Sequence, residues 1–173
     1  MLKKALLLLL ISSLLYLSYL GSSKHKPMKF TASIRINQPL AKTVALWQDQ
    51  NNFKHWQDGF ISKELLSGTG GEVGAISLIK LDLNQDIMEL TETVQLTNLP
   101  HEHKVLIAHK HMHNTMHSKF TAIDDSTTLW TAEIDYFQVN FWPAKVMMRL
   151  FPNMFKKQGQ KWSTQFKEFA EQQ

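Results

Sequence analysis

Residues 29–56 read KFTASIRINQPLAKTVALWQDQNNFKHW, and the change of period inside this stretch decides the fold. From Lys29 to Asn37 the chain alternates. Phe30, Ala32, Ile34 and Ile36 fall on one side and Thr31, Ser33 and Arg35 on the other, the two-residue period of a strand with one buried face. Gln38-Pro39 ends the alternation. Pro39 has its φ already set for a first helical turn, and Leu40, Val44 and Trp47 then recur at helical spacing to about Asp49. A second short helix is predicted over Asn51 to Trp56, stopping before Asp58-Gly59.

Downstream, the two-residue period returns and persists. Phe60 to Leu66 reads as a strand and Ser67 to Gly71 as a turn. Val73 to Leu83 follows as a strand with Ala75, Ser77, Ile79 and Leu81 on one face. Asn84-Gln85-Asp86 turns the chain into Ile87 to Leu96, whose apolar face is Met88, Leu90, Val94 and Leu96. After the break at Asn98-Leu99-Pro100, strands are predicted over Lys104 to Met112, Met116 to Ile123 and Thr127 to Gln138, with Asp124-Asp125-Ser126 as a hairpin turn. Trp130, Ala132, Ile134 and Tyr136 point together in the last of these. From Phe141 the period becomes helical. Pro143 sits near a helix start, Val146, Met147, Leu150 and Phe151 make an apolar stripe, and Pro152 interrupts it. Phe155, Trp162, Phe166 and Phe169 carry a helix to the end. The order is strand, two helices, about six strands, long C-terminal helix.

Upstream lies a segment of another kind. Lys3 and Lys4 precede an apolar run of 16 residues, Ala5 to Leu20. It is about 24 Å long as a helix, between a signal-peptide core and a full span. Tyr16 and Tyr19 lie near its far end, where interfacial aromatics gather. No A-x-A cleavage site follows, and Cys is absent, so an uncleaved anchor is preferred over a cleaved signal and lipoprotein processing is excluded. Lys24, Lys26 and Lys29 beyond the run balance Lys3 and Lys4, so the positive-inside rule expresses no orientation. The division is an anchor over 1–23, a polar linker over 24–28 and one domain over 29–173.

Composition bounds the function. A chain of 173 residues with 43% hydrophobic and 20% charged residues supports one packed core. The net charge of +4 is scattered, with no stripe to track a nucleic-acid backbone. Without Cys there is no disulfide, thiolate nucleophile or Cys-based zinc site. The Gly-rich turn Ser67 to Gly71 lacks the Lys-Ser/Thr ending of a phosphate loop, and no serine sits in a nucleophile elbow.

The opening SIRINQPLAKTVALWQDQNNFKHW, the segments GTGGEVGAISL and MELTETVQL, and the terminal helix together resemble the START-like superfamily, also called SRPBCC, over about Lys29 to Glu171. The resemblance implies an α+β helix-grip fold. In it a curved antiparallel sheet of about six or seven strands wraps a long C-terminal helix, here with one N-terminal hydrophobic helix added. It also implies a cavity between sheet and helix for a hydrophobic molecule. That superfamily includes lipid carriers, polyketide cyclases, hormone receptors and ring-hydroxylase subunits, and has no invariant catalytic motif, so function has to come from the site.

The candidate ligand-binding residues are Trp47, Phe53, Trp56, Ile79, Leu90, Glu92, Trp130, Tyr136, Met147 and Phe155. Large rings and methionines line adaptable apolar cavities, though each also suits plain core. Glu92 is the one carboxylate on the otherwise apolar face of Ile87 to Leu96. Facing inward it needs a partner or a raised pKa, and is then the candidate catalytic acid/base. At a rim it is an ordinary salt-bridge residue. Of 8 His, six lie within His101 to His117. On a strand His109, His111 and His113 would share a face and bring metal binding or pH sensing into view, but no carboxylate sits at ligand spacing. A two-residue turn at His113-Asn114 or Asn114-Thr115 places His109 and His111 inward; a three-residue turn over His113 to Thr115 leaves them in water.

The expectation is therefore a membrane-tethered binder of a lipid-like or other hydrophobic small molecule. It is anchored by residues 5–20 and gated by Val146 to Phe155, with no cofactor and no nucleic-acid partner. The alternatives are a cyclase/dehydratase-type enzyme using Glu92 with His109 or His111, and a metal-binding or pH-sensing histidine strand.

Overall fold

The computed structural model describes residues 2–22, 27–83 and 86–173. The predicted turn residues Asn84 and Gln85 and most of the predicted linker lie outside them. The element order is α1 (Leu2–Ser22), β1 (Met28–Ile36), α2 (Leu40–Gln48), a 3-10 turn (Gln50–Asn52), α3 (Phe53–Trp56), β2 (Phe60–Ser67), β3 (Ile76–Leu83), β4 (Asp86–Asn98), β5 (Glu102–Ala108), β6 (Met112–Asp124), β7 (Thr127–Val139), α4 (Trp142–Leu150) and α5 (Pro152–Ala170).

The seven strands form one open antiparallel sheet in the order β1-β7-β6-β5-β4-β3-β2. Strands β2 to β7 meander, each hairpin delivering the next neighbour, whereas α2 and α3 carry the chain from one edge of the sheet to the other. Ala32 pairs with Ala132 and Ile34 with Trp130 across β1 and β7, which sets the predicted apolar faces of both strands side by side.

The C-terminal helix α5 lies on this inner face. Phe166 is fully buried, 5.2 Å from Trp56 and 5.3 Å from Trp130 between ring centroids. Gly159 lets the helix approach the sheet, since a Cβ there would stand 3.2 Å from the Phe30 ring. The helix end is tied down. Gln38 Nε2 donates to the Ala170 carbonyl (3.0 Å), and Glu171 accepts from the Asn37 amide and from Lys167, both at 2.7 Å. This is the expected helix-grip architecture: a curved open sheet, a long C-terminal helix and an added N-terminal apolar helix.

Three local expectations change. The strand predicted over Lys104 to Met112 ends at Ala108. His109 and Met112 exchange backbone hydrogen bonds (2.9 and 3.2 Å) around a two-residue turn, Lys110-His111, and Ala108 pairs with His113. Each turn considered from the sequence lay further along. The reason is cross-strand packing: this register sets buried Val105 opposite Met116, on the face that holds Phe120. Second, a bulge at Gln95 moves Leu96 off the inner face; it pairs with Lys104 while Thr97 pairs with inward-facing His103. Third, the stripe Val146, Met147, Leu150, Phe151 does not pack on the core. Met148 is the buried residue of α4, and Met147, Leu150 and Phe151 are exposed.

Candidate functional site

Where the inner face passes under α2 and α3, it carries polar groups in an apolar wall. Strand register aligns Lys63 with Ile79 and Leu90, and Ser77 with Glu92 and Ile107, so neighbouring strands deliver these side chains to one surface. Lys63 Nζ donates to Glu92 Oε1 at 2.6 Å, with side-chain accessibilities of 21% and 11%. Glu92, the lone carboxylate of its face, thus points inward and is paired. Lys63 also lies 5.5 Å over the Phe53 ring, which packs on Trp56 and Phe60 at 5.3 and 5.4 Å.

His103 joins this group from β5. Its ring stands edge-on to Trp47 at 5.6 Å, and its Nδ1 is buried without a hydrogen-bond partner. Burial pushes its pKa below the ordinary value. Glu92 opposes that shift and Lys63 adds to it, so both charges act on the ring. Ser118, the cross-strand neighbour of His103, is fully buried with its hydroxyl unpartnered. The indole nitrogens of Trp47, Trp56 and Trp130 are buried without acceptors as well. Unpaired buried polar atoms are few in native folds, and here five belong to residues of one inner surface. Four are hydrogen-bond donors. The fifth, His103 Nδ1, donates or accepts according to its tautomer.

The structure therefore brings Trp47, Phe53, Trp56, Glu92 and Trp130 together, with Ile79 and Leu90 beside them. Trp130 packs with them in the hydrophobic core, 6.2 Å from Trp47 and 6.4 Å from Trp56. Tyr136 and Phe155 pair at 5.4 Å at the other end of the inner face, where burial pushes the tyrosine pKa up to about 12 and keeps the phenol neutral. Met147 stands apart, 38% exposed on α4. Lys63 and His103 were missed. His103 was signalled, because it lies two residues from Val105 on the alternating face. Lys63 was not, because a register irregularity between Phe60 and Ser62 changes which β2 residues face inward.

The three histidines considered for a metal do not converge. His109 and His111 flank and form the β5–β6 turn with rings 5.3 Å apart, His111 stacks on Phe141 at 4.5 Å, and His113 lies against outward Phe137. Burial, then His111 and Lys110, hold His109 below the usual histidine range. Among the described residues no group of three or more His, Asp or Glu side chains is placed to hold a metal ion. Two open depressions of about 540 Å³ each lie outside the inner face, one by His55 and Phe169 at the end of α5, the other by Lys80, Ile87 and His109.

No family model and no curated protein matches the sequence. Solved structures match the fold across nearly all of their length. A conserved protein from Geobacillus kaustophilus is 14% identical, with a TM-score of 0.69 over 83% of this chain and 95% of that one. An aromatase/cyclase from a Streptomyces species is 11% identical, with a TM-score of 0.66 over 84% and 94%. A norcoclaurine synthase from Thalictrum flavum, solved with dopamine and hydroxybenzaldehyde, is 11% identical, with a TM-score of 0.61 over 84% and 87%. At these identities the likeness establishes the helix-grip fold shared by START-like proteins.

Proposed function

We propose that the domain binds an amphipathic small molecule between the sheet and its helices, close to a membrane that α1 anchors it to. The apolar body would lie along Ile79, Leu90, Ile107 and Met116, and a polar, hydrogen-bond-accepting end would reach the Lys63–Glu92–His103 group. The observation that carries this is the inward-facing Lys63–Glu92 pair, whose charges act on His103, a histidine with its buried Nδ1 lacking a hydrogen-bond partner. The pair is part-buried, with Glu92 enclosed and Lys63 about one-fifth accessible, and ion pairs taken out of water are often no more stabilising than apolar residues of the same volume, so stability alone is a weak account of it. A ligand carbonyl or hydroxyl would engage it. The aromatase/cyclase and the norcoclaurine synthase among the structural neighbours support small-molecule chemistry on this fold.

The test is native mass spectrometry of the full chain released from detergent micelles after exposure to a membrane lipid extract. A retained apolar molecule is expected, and Lys63→Met or Glu92→Gln should weaken retention about tenfold, the loss of roughly 1.4 kcal/mol. The double variant Lys63→Met/Glu92→Leu controls for folding. A chain that stays bare counts against the reading.

A second reading has its own observation: His103, whose pKa burial lowers and whose ring feels the charges of Glu92 and Lys63, is equipped to move a proton on a bound carbonyl compound. It replaces His109 and His111 with His103 as the partner of Glu92. Conversion of the bound molecule by the parent chain, lost in Glu92→Gln while retention persists, would select the cyclase-type enzyme over the binder.

A further inference from the structure

From Tyr136 to Lys167 the chain contains no Asp or Glu, and within that interval Lys145, Lys156 and Lys157 share a segment with an exposed apolar surface. Phe141, Trp142, Met147, Leu150, Phe151 and Met154 are 38–58% exposed, all on α4 or its junctions with β7 and α5. Three observations say what covers them. Leu20 and Gly21, at the end of the apolar helix α1, are buried, and a Cβ on Gly21 would meet the Trp142 side chain at 3.1 Å, so the patch continues directly from α1. The rest of α1, Leu6 to Leu15, is exposed to its surroundings. The charge on the segment that carries the patch has one sign, and it complements anionic headgroups.

We propose that α4, with Phe151 and the first turn of α5, lies in the headgroup region of the same bilayer that α1 enters. Trp142, Leu150, Phe151 and Met154 reach the acyl boundary, and the lysines contact anionic lipid. A short helix with apolar side chains on one side and cations beside them binds in the plane of the interface, and tryptophan is enriched at that depth. The break at Phe151-Pro152 suits this, because α5 turns back to the sheet while α4 stays on the surface. The Tyr136–Phe155 end of the inner face is then the end nearest the lipid. The inference rests on α1 entering the membrane, not on what the inner face binds.

The chain has no cysteine, so single spin labels are introduced cleanly at Leu150→Cys, Phe151→Cys or Met154→Cys, with Leu10→Cys reporting α1 and Glu168→Cys as a reference far from the patch. The full chain is reconstituted in phosphatidylcholine vesicles with and without phosphatidylglycerol. Labels at 150, 151 and 154 are expected to relax faster with oxygen than with a polar nickel complex, the reverse of the label at 168, and to move deeper when phosphatidylglycerol is present. If these labels behave like the one at 168 while the label at 10 is in lipid, the patch is overturned and the anchor stands. A water-exposed label at 10 overturns both. Dipolar coupling between labels at 151 that disappears on dilution with unlabelled chain means a second copy covers the patch, and overturns the lipid assignment.

Discussion

His103 shows how one side chain's surroundings become a property of the whole chain. Burial lowers its pKa below 6.5, and Lys63 adds to the shift while Glu92 offsets part of it. The unfolded chain therefore binds a proton below pH 6.5 that the folded chain refuses. This contribution to stability is complete above pH 6.5 and is lost as pH falls toward the folded value. Thermal unfolding of the full chain in micelles, followed across this interval, should show Tm falling with pH. His103→Phe keeps a ring against Trp47 and should flatten that slope; an unchanged slope would place the titrating group elsewhere. Gly59 is decisive in a different way. It adopts φ +78°, and a Cβ there would collide with the Asp82 carbonyl, so no other residue fits the entry to β2.

Among the elements, α5 is held by a few large contacts. Phe166 reaches both Trp56 and Trp130, and Ala170 is fully buried beside the carbonyl that Gln38 caps. Phe166→Ala removes a ring from a closed site and should cost about 3–5 kcal/mol, read as a lower denaturant midpoint with an unchanged slope. The outer face of the sheet is stabilised by weaker means, through a part-buried hydrogen bond between His117 and Glu102 at 2.8 Å and the exposed Lys119–Glu133 pair at 2.7 Å, the latter worth about 0–1 kcal/mol. Helix α4 contrasts with α5. Its sequence stripe is apolar, yet Met147 and Leu150 are exposed, and the buried residue of the helix is Met148, which lies off that stripe.

For the whole molecule, α1 is the feature that separates this chain from a freestanding helix-grip domain. Lys3–Ser22 is long and apolar enough to cross a bilayer and is almost wholly exposed. An aqueous environment would charge for that surface at about 25 cal/mol per Å², and lipid removes the cost. The chain should remain with membranes after alkaline carbonate extraction and keep its N-terminal residues by intact-mass measurement. Release into the supernatant with those residues missing would identify a cleaved signal instead.

The alternation of Lys29 to Asn37, the helical spacing of Leu40, Val44 and Trp47, and the terminal run of Phe155, Trp162, Phe166 and Phe169 were legible in the sequence, because period and burial are set locally by which face meets the core. So was the apolar run of α1, whereas for Glu92 the alternation left an inward position and a rim salt bridge both open. The partner of that carboxylate was not legible. Lys63 reaches Glu92 through an irregularity in β2, and a bulge at Gln95 exchanges Leu96 for Thr97 beside His103. The β5–β6 turn fell at Lys110-His111 because Val105 and Met116 pack together, which also separated the three histidines. Register is a contest between whole strands for one buried face, so only the tertiary structure decides which polar groups meet inside it.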